Sequence, residues 1–144
     1  MRTGNRGQVL VIVALAFAVF LGFAALAVDV AYMYTVRNEL QRCADAGALA
    51  GASVFIDNTF TGDLVSGAIS RAEDFASRDT VAGSLLNSAT DMNVEVLADN
   101  LVRVTTDFTV NLFFARIFGR ESTTVHAVAA AVPLLSDNTL RLVE

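Results

Sequence analysis

Few residues in this sequence could carry out chemistry. It contains a single histidine, His126, and a single cysteine, Cys43, and it has no CxxC pair, no GxGxxG segment and no Walker-type loop. His126 stands among Ala and Val in a strand-like segment, which favours a surface or structural imidazole over a catalytic one. Cys43 cannot form an intrachain disulfide, and a buried thiol is favoured over a disulfide with a second copy. We therefore expect no enzyme, with no catalytic residue, no cofactor and no bound metal.

Composition restricts the class of protein further. The 144 residues are 54% hydrophobic with a mean hydropathy of +0.54, which is too apolar for an ordinary soluble domain of this length. Charge is unevenly distributed, because residues 1–28 carry only Arg2 and Arg6, whereas the remainder carries eight arginines and fifteen acids. An acidic main part argues against a nucleic-acid partner and leaves a membrane segment as the reason for the apolar composition.

The strongest single feature is the charge-free run from Val9 to Val28, VLVIVALAFAVFLGFAALAV. Its 20 residues would span about 30 Å of hydrocarbon as a helix. A secretory signal peptide is the alternative, but the apolar part of a signal peptide is usually about 7 to 15 residues long. The arginines before the run and Asp29 after it predict residues 1–8 in the cytoplasm and the rest of the chain outside, in a protein that crosses the membrane once.

Helical sequence continues beyond the membrane run. Tyr32, Val36, Leu40, Cys43 and Gly47 recur at spacings of three and four, which predicts that residues 29–56 extend the same helix with one apolar face. The charged residues of this part predict a solvated face, and they are Asp29, Arg37, Glu39, Arg42 and Asp45.

Small residues are concentrated near the end of this helix. Gly47 and Gly51 form a GxxxG pair, and beside it lies a second small row, Ala44, Ala48 and Ala52. Each glycine costs a helix roughly 1 kcal/mol relative to alanine, so close packing on this face is expected to offset the cost. Two partners remain open, namely another copy of the chain or the protein's own globular part.

These residues carry a family resemblance. The segments RGQVLVIVALAF and AVDVAYMYTVRNELQRCADAGALAGA, within residues 6–52, resemble the N-terminal part of TadG-like proteins of the Tad (Flp, tight-adherence) pilus-assembly systems. More loosely, VRVTTDFTVNLFFARIFGRESTTVHAVAAAV at 102–132 is similar to the ending of such proteins. The resemblance implies a bacterial envelope protein, pilin-like or associated with pilus assembly and without catalysis, which would cross the bacterial inner membrane once. Its implied partners are copies of itself or other pilin-like subunits, the inner-membrane assembly machinery, and the lipid bilayer before assembly.

Two departures from wider pilin patterns limit what the resemblance implies. Gly7 and Gln8 are a possible processing site, but the fifth residue after Gly7 is Ile12, where prepilins of the type IV class carry Glu. This departure argues against cleavage. The Asp-x-Ser-x-Ser metal site of longer TadG-like proteins is absent from the sequence, so metal-dependent adhesion is unsupported.

The rest of the chain predicts a small α+β domain over residues 57–135, followed by a tail at 136–144. Asp63 is a helix cap for about residues 64–77, whose apolar stripe should lie on a sheet. Residues 80–92 are predicted as a loop. Strands around Val94 and Val104 are expected to flank a two-residue turn at Asp99-Asn100, and residues 112–118 a short helix or turn that ends at Gly119. A third strand is predicted at 123–132.

The predicted fold class is therefore α+β and pilin-like: a long N-terminal helix, first transmembrane and then amphipathic, a second short helix and an antiparallel sheet of about three strands. The expected function is that of a structural subunit that polymerises through its hydrophobic N-terminal helix and reaches the cell surface when assembled. The alternatives are a stationary membrane-anchored protein that assists assembly and a membrane-tethered enzyme, for which the sequence indicates no site.

Overall fold

The computed structural model describes residues 5–133, with side chains from Gly7 onward. The tail predicted at 136–144 lies outside the described residues, as does Arg2. The described part contains two α-helices and five strands, α1 at Asn5–Ser53, α2 at Leu64–Ala76, β1 at Thr80–Val81, β2 at Ser84–Leu85, β3 at Met92–Val96, β4 at Val102–Asn111 and β5 at Ser122–Ala131. The α+β fold class with a long N-terminal helix is thereby confirmed.

Helix α1 is long because nothing in its sequence interrupts it. The chain's one proline lies at position 133, and the apolar run continues directly into helix-forming residues. The helix ends at Ser53, whose hydroxyl donates to the carbonyl of Ala50, and a 3-10 turn follows at Val54–Ile56. In α2, Asp63 caps the helix as predicted, because its carboxylate accepts the backbone N–H of Ser66 at 3.0 Å.

The strands form two separate sheets. β3, β4 and β5 lie in that order, and β3 runs antiparallel to β4 with Val96 opposite Val102. The predicted two-residue turn is wrong by one residue: the N–H of Leu97 donates to the carbonyl of Leu101, so three residues form the loop. Asp99 and Asn100 both have positive φ in it, which these residue types tolerate better than most.

The second sheet is a short hairpin inside the segment predicted as a loop. β1 and β2 pair with Val81 opposite Ser84, and Ala82 and Gly83 form the turn between them with positive φ at both positions. Positive φ at both central residues is the type I′ turn, whose twist matches that of the two strands it joins. Because each of these strands is two residues long, the sequence has no alternating pattern that would predict the hairpin.

The described residues divide into two compact units. The first unit contains α1 up to Thr35 together with residues 109–123. The second unit contains α1 from Val36, then α2 and the sheet residues up to 108, and residues 124–133. Its hydrophobic core is formed by small side chains of α1 and α2 and by valines of β4, with Ala44, Ala48, Ala52, Val54, Ala68, Ala72, Val102, Val104 and Ala129 as members.

The face that α2 buries is narrower than its apolar stripe. Ala68, Ala72 and Ala76 are fully buried, whereas Val65 and Phe75 are exposed by about two fifths. Alanine brings the backbone of α2 close to its neighbours, and the larger stripe residues are left at the edge of the contact. The apolar face predicted for α1 beyond the membrane run is confirmed, since Val36, Leu40, Cys43 and Gly47 are all buried.

Candidate functional site

The first unit contains a carboxylate bound by three consecutive backbone N–H groups. Asp29, the first residue after the charge-free run, accepts the N–H of Phe113 at 2.9 Å on one carboxylate oxygen and that of Ala115 at 2.7 Å on the other. The N–H of Phe114 lies 3.0 and 3.3 Å from the two oxygens. Hydrogen bonds to a charged acceptor are stronger than neutral ones, so Asp29 holds this part of the chain against α1.

Burial of Asp29 corrects the prediction that it belongs to the solvated helix face. Its relative exposure is 1%, because the turn after β4 covers it. Desolvation by burial raises the pKa of Asp29, but the hydrogen bonds from Ala115, Phe113 and Phe114 and the charge of Arg116 lower it, and the net pKa lies below the ordinary value. Asp29 is therefore ionised at neutral pH, which is the form that can accept all three bonds.

The turn that donates to Asp29 has its own hydrogen bonds. It consists of residues 112–119, named here the 112–119 turn, and contains a 3-10 helix at Ala115–Phe118 followed by Gly119 in the left-handed conformation, φ +81°. At its base the N–H of Leu112 donates to the carbonyl of Glu121, and near its end the N–H of Arg120 donates to that of Ala115. The short helix or turn predicted to end at Gly119 is thus confirmed.

An aromatic contact adds to this arrangement. The rings of Tyr32 and Phe113 meet edge to face, with centroids 5.3 Å apart. Tyr32 lies one helical turn after Asp29, so both side chains are on the face of α1 that the turn covers. The 112–119 turn is consequently attached to α1 by one charged and one apolar contact.

In the second unit, the small-residue face of α1 is filled by the chain itself. A Cβ atom placed on Gly47 would lie 2.9 Å from the carbonyl oxygen of Ala72 and from the Cβ of Ala76. A Cβ placed on Gly51 would lie 2.9 Å from Cγ1 of Val102 and 3.0 Å from the carbonyl oxygen of Ala68. These glycines therefore allow α1 to approach α2 and β4.

The alanines of the same face are buried with the glycines. Ala44, Ala48 and Ala52 belong to the hydrophobic core of the second unit. Of the two partners left open by the sequence, the globular part of the same chain occupies this face in the structure. A second copy cannot contact the two glycines while the unit remains folded.

The remaining residues of the predicted charged face differ in their surroundings. Arg37, Arg42 and Asp45 are exposed, and Asp45 accepts a hydrogen bond from the amide of Gln41 at 2.9 Å. Glu39 is half-buried and accepts the N–H of Ala82 at 2.8 Å, which fixes the β1–β2 turn to α1. Glu39 thus has a structural contact that helix periodicity alone did not predict.

Cys43 and His126, the side chains first considered for chemistry, contact only structural neighbours among the described residues. Cys43 is fully buried as a free thiol. His126 is largely exposed and its Nδ1 contacts the carboxylate of Asp107 on the neighbouring strand. Within residues 5–133, no three His, Cys, Asp or Glu side chains come together in a way that could hold a metal ion. Gly7 and Gln8, the possible processing site, lie in the first turn of α1 and are exposed.

The architecture defines the class of protein. It is an α+β protein with one helix, near the N-terminus, that is long and apolar enough to cross a membrane among the described residues. Residues 7–54 match the Tad family, described as Flp pilus-assembly TadE/G-like. The resemblance to TadE/TadG-like proteins is thereby confirmed over residues 7–54, a third of the chain. No curated protein and no solved structure matches the chain.

The family match also bears on enzymatic activity and on membrane anchoring. The family is one of pilus assembly, not one of enzymes, and the match together with the apolar helix indicates membrane anchoring. The contact between Asp29 and the 112–119 turn was missed by sequence reasoning, although the segments that the resemblance covers contain both partners. The available signals were a carboxylate directly after an apolar run and a distant apolar turn without an acceptor side chain.

Proposed function

We propose that the protein is a pilin-like structural subunit of a Tad/Flp-type pilus. The observation that carries this proposal is the division of α1. Its residues from Val9 to Val28 are apolar and almost entirely exposed, whereas the residues from Val36 to Ser53 include the buried face of a small α+β unit. An exposed apolar helix of this length needs lipid or other apolar helices around it in the cell.

Before assembly, residues 9–28 are proposed to cross the inner membrane. Arg2 and Arg6 on one side, and an acidic remainder on the other, support a cytoplasmic N-terminus and an extracytoplasmic position for residues 29–144. Protease added to spheroplasts should then digest the second unit. Complete protection until the inner membrane is lysed would refute this orientation.

The proposed N-terminus is unprocessed. Ile12 stands where the prepilin pattern has Glu, so the Gly7–Gln8 bond is expected to remain intact. The intact mass of protein isolated from membranes tests this, and a species that begins at Gln8 would contradict it.

During assembly, the same apolar residues are proposed to exchange lipid for the helices of neighbouring subunits. The small-residue face around Gly47 and Gly51 does not contribute to these contacts, because α2 and β4 occupy it. The proposed partners are copies of the chain or other pilin-like subunits, delivered by the inner-membrane assembly machinery.

A stationary membrane-anchored assembly protein is the second candidate. It is favoured by the same occupied face, since the GxxxG pair no longer requires a second copy for its explanation. Such a protein would need residues 9–28 only as an anchor and would stay in the inner membrane after the pilus has formed.

Cross-linking between copies distinguishes the two candidates. The chain's only cysteine is buried, so a Val13→Cys variant adds one reactive thiol at an exposed position of α1. In sheared pili treated with a short bis-maleimide, a polymerising subunit should give a covalent dimer, because each chain offers one reactive thiol, and the wild-type chain serves as the matched control. If the pilus fraction contains no covalent dimer and intact monomer remains in the membrane, the stationary protein is favoured.

A further inference from the structure

The 112–119 turn presents apolar side chains outward. Ile117 and Phe118 are each 77% exposed, and Phe113 is exposed by more than half. Most of its backbone N–H groups are bonded within the protein, because Asp29 accepts three of them and carbonyls of the turn accept those of Ile117 and Gly119. An apolar surface on a backbone with internally bonded amides is what a non-helical segment requires in contact with lipid.

The position of the turn along α1 points to the same surroundings. Phe118 and Ile117 line an apolar groove together with Gly22 and Leu26, which belong to the charge-free run. Gly22 precedes Asp29 by seven residues, about 10 Å along a helix. The outward face of the turn is therefore continuous with the surface of α1 that is proposed to meet acyl chains.

Charge on the turn agrees with a lipid surface. Arg116 and Arg120 are exposed, and both flank the Ile117-Phe118 pair. The Nε of Arg116 donates to the carbonyl of Leu112 at 3.4 Å, which leaves the terminal nitrogens of its guanidinium for other acceptors. Long arginine side chains beside inserted apolar residues can reach lipid phosphates while their neighbours remain in hydrocarbon.

We propose that the 112–119 turn is a second membrane-contacting element, in which Ile117 and Phe118 enter the acyl-chain region of a phospholipid leaflet and Arg116 and Arg120 contact its phosphates. The proposal rests on the proposed anchoring by residues 9–28, because that helix determines the level at which the turn meets lipid. Asp29 acts as a positioning residue that keeps the turn against α1.

The absence of tryptophan from the sequence allows a direct test. Phe118→Trp introduces a single fluorophore into the full chain, which is reconstituted at one copy per nanodisc in phosphatidylethanolamine and phosphatidylglycerol. Emission is recorded with ordinary lipids, with lipids brominated on their acyl chains, and with aqueous acrylamide. Phe17→Trp in the charge-free run is the control for insertion, and Leu97→Trp in the β3–β4 turn is the control for exposure to water.

The proposal predicts that Phe118→Trp loses most of its fluorescence to brominated lipids, as Phe17→Trp does, while acrylamide quenches only Leu97→Trp strongly. Ile117→Trp should repeat the result of Phe118→Trp. If acrylamide quenches Phe118→Trp and brominated lipids do not, whereas Phe17→Trp still responds to lipid, the inference is wrong and the anchor stands. If Phe17→Trp also fails to respond, the anchoring and the inference fail together. Shielding of Phe118→Trp only at two or more copies per disc would identify a second copy as the occupant instead.

Discussion

Replacement of Gly51 by leucine tests the internal use of the small-residue face. The first added atom, Cβ, would lie 2.9 Å from Cγ1 of Val102 and 3.1 Å from the Cβ of Ala72, where carbon atoms normally approach to about 3.5–4.0 Å. It would also lie 3.0 Å from the carbonyl oxygen of Ala68, and this backbone atom of α2 cannot rotate away. The remaining leucine atoms enlarge the overlap.

The size of the effect follows from two opposed terms. Overpacking a close contact costs about 1–3 kcal/mol, and the gain in helix propensity on replacing glycine is at most about 1 kcal/mol. For leucine, which adds three carbon atoms beyond Cβ, we expect the upper part of the overpacking range, and hence a net loss of about 1–2 kcal/mol. In a unit of this size each kcal/mol lowers the melting temperature by roughly 4–8 °C.

The assay is thermal unfolding of the monomeric full chain in detergent, followed by circular dichroism. Gly22→Leu is the matched control, because it makes the same substitution in the same helix where no atom lies within 4 Å of the added Cβ. The control should leave the melting temperature nearly unchanged. A Gly51→Leu monomer as stable as wild type that nevertheless fails to assemble would refute the internal packing argument and restore packing between copies.

Three further outcomes are expected. Asp29→Asn should accelerate amide hydrogen exchange at residues 113–115 by about tenfold or more, because an amide group presents N–H where a charged acceptor stood, while Asp45→Asn leaves these amides unchanged. Hydrogen bonds from Ser66 lower the pKa of Asp63 below its ordinary value of 3.8. The stability that the ionised Asp63 contributes is therefore present above that pH and is lost as the pH falls through the folded pKa. When Asp63→Asn is unfolded by acid, this pH-dependent loss of stability should be missing. Burial raises the pKa of Cys43, so iodoacetamide should modify it at neutral pH much more slowly in the folded chain than in denaturant.

Elements with a local cause could be predicted from the sequence. The charge-free run and the three-and-four spacing after it predicted a continuous helix, and Asp63 before an apolar stripe predicted the start of α2. Alternation around Val94 and Val104 predicted the central hairpin, although the loop is longer by Ala98. In each of these cases the determining residues lie within a few positions of one another.

Features determined by distant partners could not be predicted in the same way. The glycine pair was recognised as a close-packing face, but its spacing is the same whether α2 or a second copy fills it. Asp29 is of a residue type that usually contacts solvent, and only the fold brings it next to three donors that lie 84–86 residues later in the sequence. The sequence therefore indicated a contact at the glycine pair without indicating its partner, and it gave no indication of the contact at Asp29.

The central claim is that the chain becomes part of the pilus. Quantitative mass spectrometry of pili sheared from the producing cells, with negative-stain microscopy of the same preparation, tests it most directly. The account predicts tryptic peptides from the second unit, such as those ending at Arg71, Arg78 and Arg103, in amounts that follow the filament yield. Normal filaments from which these peptides are missing, with the chain confined to the inner-membrane fraction, would contradict the proposed subunit and support the stationary assembly protein.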